Sequence, residues 1–138
     1  MLRPIKKTCF SLLIIFLPLY GISQEVQLDS LRNELEGHTL QDTIRAGLLI
    51  EIAGEMTYSS PNEAFPYVKE AIAISEKTNW IKGEALAHRQ KGNLYYVLGD
   101  NLNALDAYQK ALVLSQKMVN KQLESSLLGN IGNIHADL

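Results

Sequence analysis

Residues 62–77 read NEAFPYVKEAIAISEK and residues 102–117 read LNALDAYQKALVLSQK, the same helix written twice. Ala64, Ala71, Ser75 and Lys77 recur as Ala104, Ala111, Ser115 and Lys117, each 40 residues further on. Phe65, Val68, Ile72 and Ile74 are answered by Leu105, Tyr108, Leu112 and Leu114, so the echo keeps side-chain character as well as identity. A fixed period of about 20 to 50 residues marks a stacked repeat, in which each unit buries its apolar face only against its neighbours. Such stacks build surfaces, which turns the reading of function toward recognition and away from catalysis.

Outward from the echo the chain reads as helix, tight turn, helix, with no strand-like alternation. Upstream, Ser59, Ser60 and Pro61 break the pattern, and Ser60 and Pro61 suit the cap and first turn of the next helix. Pro66 lies beyond that first turn and predicts a kink or a late helix start. From Asp42 to about Tyr58, Ile44, Leu48, Ile52 and Met56 fall four apart along one helical face. Asp29 to Glu36 reads as a short helix stopped by Gly37, with Leu28, Leu31 and Leu35 in a stripe. Downstream, a helix from about Trp80 to Leu98 ends at Gly99. Asp100 or Asn101 caps another to about Met118, and a last one from Lys121 is still running at Leu138.

The segment Gly92 to Ala111, GNLYYVLGDNLNALDAYQKA, resembles a tetratricopeptide repeat (TPR). Gly92 and Tyr95 match the glycine and tyrosine of the family's first helix; Ala104, Tyr108 and Ala111 match the alanine, aromatic and alanine of its second. His88, Lys91 and Gln116 depart from the pattern, and the spacing of 40 exceeds the usual 34 or so. Gly132, in the run Asn130-Ile131-Gly132-Asn133, repeats Gly92 after another 40 residues, and Ala53 takes the same slot upstream once a residue of the Ser59–Pro61 turn is skipped. The resemblance covers roughly Gln41 to Leu138. It implies an all-α, right-handed α-solenoid of antiparallel helix pairs, about two and a half repeats long (41–78, 80–118 and an incomplete 121–138), after a short helix and connection at 24–40. Ala64, Ala71, Gly92, Tyr95, Ala104, Tyr108, Ala111 and Gly132 are then its packing positions.

The N-terminus has another character. Arg3, Lys6 and Lys7 precede the apolar run Cys9–Tyr20, and Gly21 and Ser23 stand three places and one place before a cut between Ser23 and Gln24. That is the layout of a signal peptide at residues 1–23, and the run is too short for a spanning helix of about 20 residues. The expected mature protein is exported, to the periplasm or the extracytoplasmic face of a bacterial membrane. The full chain carries 13 Lys+Arg against 15 Asp+Glu, and loss of the leader leaves 10 against 15. No basic patch remains for nucleic acid, and the one cysteine, Cys9, leaves with the leader. Packing alone must hold the product together.

No motif for a nucleophile, a phosphate loop or a metal is present, so neither enzyme activity nor a cofactor or metal is expected. His38, His88 and His135 lack metal-ligand spacing, and the last two occupy packing slots, which predicts satisfied core or interface histidines. Glu51 with Glu55, and Glu34 with Glu36, read as solvated faces. The resemblance adds one candidate site. Some TPR domains hold a peptide's terminal carboxylate with a basic residue and an asparagine one turn apart, plus an asparagine from the next repeat. Arg89 and Asn93 match the first two and Asn130 the third, with Asn133 beside it; Tyr58, Tyr67, Trp80 and Tyr96 are candidate groove aromatics.

Gly129 and Gly132, with Leu127, Leu128, Ile131, Ile134 and Leu138 on the last helix, predict a further helix packed against it and thus a longer protein. Two functions are therefore expected. One is an exported, non-catalytic module presenting a groove to a peptide or protein. The other is the extracytoplasmic sensor end of a signalling protein, such as a histidine kinase or transcriptional regulator, membrane-bound only through a downstream transmembrane segment.

Overall fold

The computed structural model describes residues 25–137; the expected signal segment 1–23 and Leu138 lie outside them. These residues form six helices: α1 (residues 25–37), α2 (Thr43–Glu55), α3 (Pro61–Lys77), α4 (Ile81–Val97), α5 (Asn101–Lys117) and α6 (Lys121–Asp137). Packing is sequential, α2 on α3, α3 on α4, α4 on α5 and α5 on α6, with α2 also against α4. None of the helices among the described residues is long and apolar enough to cross a membrane.

The 40-residue echo is the packing seam. Ala64, Ala71 and Ser75 are fully buried on α3, as are Ala104, Ala111 and Ser115 on α5. Small side chains at these positions let the helix axes approach, and the larger residues between them fill the layers. Ile52, Met56, Val68 and Leu94 pack with Ala64, while Tyr108, Leu123, Leu127 and Ile134 pack with Ala104 and Ala111. Each fully buried Leu or Ile of this kind contributes about 2 kcal/mol of hydrophobic stabilisation. Leu28, Leu31 and Leu35 of α1 lean on the α2–α3 cluster, so the first helix closes that end of the core.

Three turns use one device. After α3, α4 and α5 a single residue turns left-handed, Asn79 at φ 54°, Gly99 at 77° and Val119 at 55°. The next amide reaches back to the helix: Trp80 N–H donates to Ser75 O (2.8 Å), Asp100 to Tyr95 O (2.9 Å) and Asn120 to Ser115 O (3.0 Å). These are Schellman closures, which satisfy carbonyls that the helix end leaves open. Asp100 and Asn120 then cap the following helices, accepting from Asn103 N and Leu123 N.

Several local expectations are corrected. α3 starts at Pro61 and runs through Pro66 unbroken. Pro66 is exposed, and the carbonyl it leaves unbonded belongs to Asn62, which is exposed too. Ser60 makes no side-chain cap, whereas Asp42 caps α2 by accepting from Ile44 N and Arg45 N. α2 stops at Glu55, and Ile44, expected on its buried face, is 58% exposed. Leu48, Ile52 and Met56 of that stripe are buried, and Ala46, Leu49 and Ala53 are buried beside them, because α2 meets both α3 and α4. Gly92 lies against the Tyr108 ring, but Gly132 is exposed with nothing within 4 Å of its Cβ position. Its packing role finds no counterpart among the described residues.

Candidate functional site

Repetition at 40 residues places α4 and α6 in corresponding positions, and their backbones stand apart. Between them lies a cavity of about 340 Å³ whose lining includes Tyr58, Arg89, Asn93, Tyr96, Asn130 and Asn133. All five residues expected to bind peptide therefore share one concavity, although they come from two helices. Tyr58, beyond the end of α2, borders it at 84% exposure. Tyr67 and Trp80, also candidates for a groove, instead pack into the core beside Ala71 and Ile74.

The donors in this groove differ in how free they are. Arg89 has no carboxylate within ion-pair distance among the described residues, and Asn130 and Asn133 likewise make no side-chain hydrogen bond there. Asn93 is engaged at both ends: its Oδ1 accepts from the Tyr108 hydroxyl (2.9 Å) and its Nδ2 donates to Gln90 Oε1 (3.2 Å). Gln90 in turn donates from Nε2 to Thr57 Oγ1 (2.6 Å) and Ala53 O (3.1 Å). Thr57 Oγ1 also donates to Ala53 O at 3.0 Å. One polar chain thus ties the end of α2 to α4 and α5 and surfaces at Asn93. An Nδ2–H of Asn93 remains for a ligand.

Arg89 is the one charged residue among those lining the groove. Burial, followed by the neighbouring Tyr96 and Tyr58, pushes the Tyr108 hydroxyl up to about 12, with Arg89 opposing. The Tyr96 hydroxyl donates to Asp137 Oδ2 (2.8 Å), and that bond to a carboxylate raises its pKa. Beyond Arg89 and Ser126 a second cavity of about 320 Å³ continues the surface to Lys82, Gln122 and Asn120. Lys82 and Ser126 escaped the sequence reading. Lys82 stands seven residues before Arg89, two helical turns along the same face, and that spacing was the available signal.

The histidines occupy three different settings. His38 bonds Asp42 at 2.8 Å, and His135 is exposed rather than packed. His88 is half-buried on α4, but its Nδ1 is buried without a hydrogen-bond partner, so the expected satisfied histidine is not found. Glu51, Glu34 and Glu36 are exposed, while Glu55 accepts from Gln27. Among the described residues no three His, Cys, Asp or Glu side chains are grouped to hold a metal ion.

Comparison of the chain with protein-family models, with curated proteins and with solved structures gave no match in any of the three. The class defined by the fold is an all-α arrangement of sequentially packed helices.

Proposed function

We propose that this chain is an exported, non-catalytic repeat module, a TPR-like right-handed solenoid, whose α4–α6 groove receives the C-terminal end of a peptide or protein. The solenoid reading is supported by helices that start every 20 residues from Pro61 to Lys121, and by the buried Ala-Ala-Ser seam that α5 repeats 40 residues after α3. Export rests on the basic and apolar pattern of residues 1–23.

The observation that carries the binding reading is the convergence of Arg89, Asn93, Asn130 and Asn133 on one cavity, with the guanidinium lacking a carboxylate partner among the described residues. A planar guanidinium presents paired N–H donors that match the two oxygens of a carboxylate. Asn130 and Asn133 add amide donors from the facing helix, and the spare Nδ2–H of Asn93 adds one more. Tyr96 and Tyr58 supply flat apolar surface for the preceding side chains. Each hydrogen bond to the charged end group is worth about 1.5–3 kcal/mol.

The test compares peptides that differ only in a free or amidated C-terminus. Free-ended peptides should bind about tenfold or more tightly, the preference should vanish in Arg89→Ala, and binding should weaken with salt. Equal affinity for both ends, or an unaltered preference in Arg89→Ala, rejects the carboxylate reading.

A further inference from the structure

α3 and α5 pack against α4 from either side and stand apart from each other, leaving a furrow floored by α4. This furrow lies on a different side of α4 from the groove: Arg89 and Asn93 border the groove, whereas His88, Lys91 and Tyr95 border the furrow. On its α3 side is a cavity of about 620 Å³, the size range of small-molecule sites. Its walls are Phe65, Pro66, Ile72 and Tyr95, with Val68 behind them, and the Phe65 and Tyr95 rings meet at 4.9 Å between centroids.

The polar groups that line this cavity are Lys69, His88 and Lys91, and no carboxylate is among its lining residues. Neither lysine forms an ion pair among the described residues; Lys91 Nζ sits 5.9 Å over the Tyr95 ring. In a chain with net charge −2, an apolar hollow whose charged lining residues are both lysines selects for anions. His88 marks the boundary: beyond it the furrow becomes acidic, with Glu84 and with Asp106 paired to Lys110 at 2.7 Å. Burial, with Lys91 and Lys110, lowers the His88 pKa, so the ring adds a neutral donor or acceptor rather than a third charge.

We propose that this cavity binds a small apolar carboxylate, of the size of a medium-chain fatty acid. The hydrocarbon lies along Phe65, Ile72 and Tyr95, and the carboxylate meets Lys69 and Lys91. The apolar walls demand a hydrocarbon body, and the two unpaired ammonium groups demand a negative head. The site is separate from the α4–α6 groove, and the two stand or fall independently.

Calorimetric titration of the purified protein with decanoate, decanol and decylamine, each below its aggregation concentration, reads the proposal directly. Decanoate should bind saturably at one site, about tenfold or more tightly than decanol, and decylamine should bind no better than decanol. Lys69→Met with Lys91→Met keeps the aliphatic stems and should reduce decanoate to the decanol level. Ile72→Glu should abolish decanoate binding, and Arg89→Ala should leave it unchanged. Circular dichroism of each variant establishes that it is folded. Absence of saturable decanoate binding, equal binding of decanol or decylamine, or full retention of affinity in the double lysine variant overturns the proposal. So does loss of binding in Arg89→Ala, which would place the ligand in the groove.

Discussion

The ring of Tyr108 lies directly over Gly92: a Cβ built on Gly92 would come within 2.5 Å of Cδ1 and Cε1 of that ring. Tyr108 is 2% exposed and its hydroxyl is tied to Asn93, so the ring cannot step aside. Forty residues on, a Cβ at Gly132 would meet nothing within 4 Å. Two equivalent glycines thus answer the same substitution with opposite signs. Gly92→Ala should destabilise by about 1–3 kcal/mol through overpacking, while Gly132→Ala should stabilise by up to about 1 kcal/mol through helix propensity. Urea unfolding of both variants checks the pair; a loss at Gly132 would mean that its face is covered.

Val119 holds φ 55° although it is β-branched and 73% exposed. A side chain in the left-handed region costs about 1–2 kcal/mol, and packing returns little at this exposed turn. Val119→Gly should therefore stabilise by about 1 kcal/mol, less than the full relief because glycine frees the unfolded chain. Asn79 has nearly the same φ, 54°, in the equivalent turn, and Asn79→Val should lose a similar amount. A thermal midpoint unchanged in Val119→Gly, or raised in Asn79→Val, contradicts this account of the turn.

Burial holds the His88 pKa below its ordinary 6.5, with Lys91 and Lys110 adding to the effect and Asp106 opposing it. The unfolded chain takes up this proton as the pH falls through 6.5, while the folded protein resists it. Stability therefore rises with pH through this window: it is complete above 6.5 and declines below. The lowered carboxyls of Asp42 and Asp106 act further down, beneath their ordinary 3.8. Urea midpoints from pH 7.5 to 5 should fall in the parent protein and fall less steeply in His88→Phe, which puts an aromatic in the same slot. Identical slopes would remove His88 as the cause.

Much of the helical frame was legible because a repeat restates its own boundaries. Ala71 and Ala111 mark the seam, and Gly99 marks a turn that Asn79 and Val119 copy without glycine. Arg89, Asn93, Asn130 and Asn133 were assembled through the resemblance to TPR domains that hold a terminal carboxylate; of them only Asn93 and Asn133 stand one 40-residue step apart. What escaped depends on departures from the period. Five residues separate α2 from α3, against three between later helices, so Thr57 and Tyr58 reach α4 in a way that has no copy downstream. Gln90 thereby becomes a buried link between helices, though a glutamine on α4 reads as surface. The furrow over His88 was equally hidden, since it arises from the separation of α3 and α5 rather than from any motif.

Asn93 is both a wall of the groove and a rivet of the core. Its amide closes the polar chain that runs from Ala53 and Thr57 through Gln90 to Tyr108. Changing it to alter what the groove accepts also strands the Tyr108 hydroxyl and loosens α5 on α4. Arg89, Ser126, Asn130 and Asn133 carry no such second duty in the hydrogen-bond network of the described residues. For the binding proposed here, the groove therefore has one fixed letter and several free ones: substitutions at the free positions are expected to change its ligand preference while the stack beneath stays intact.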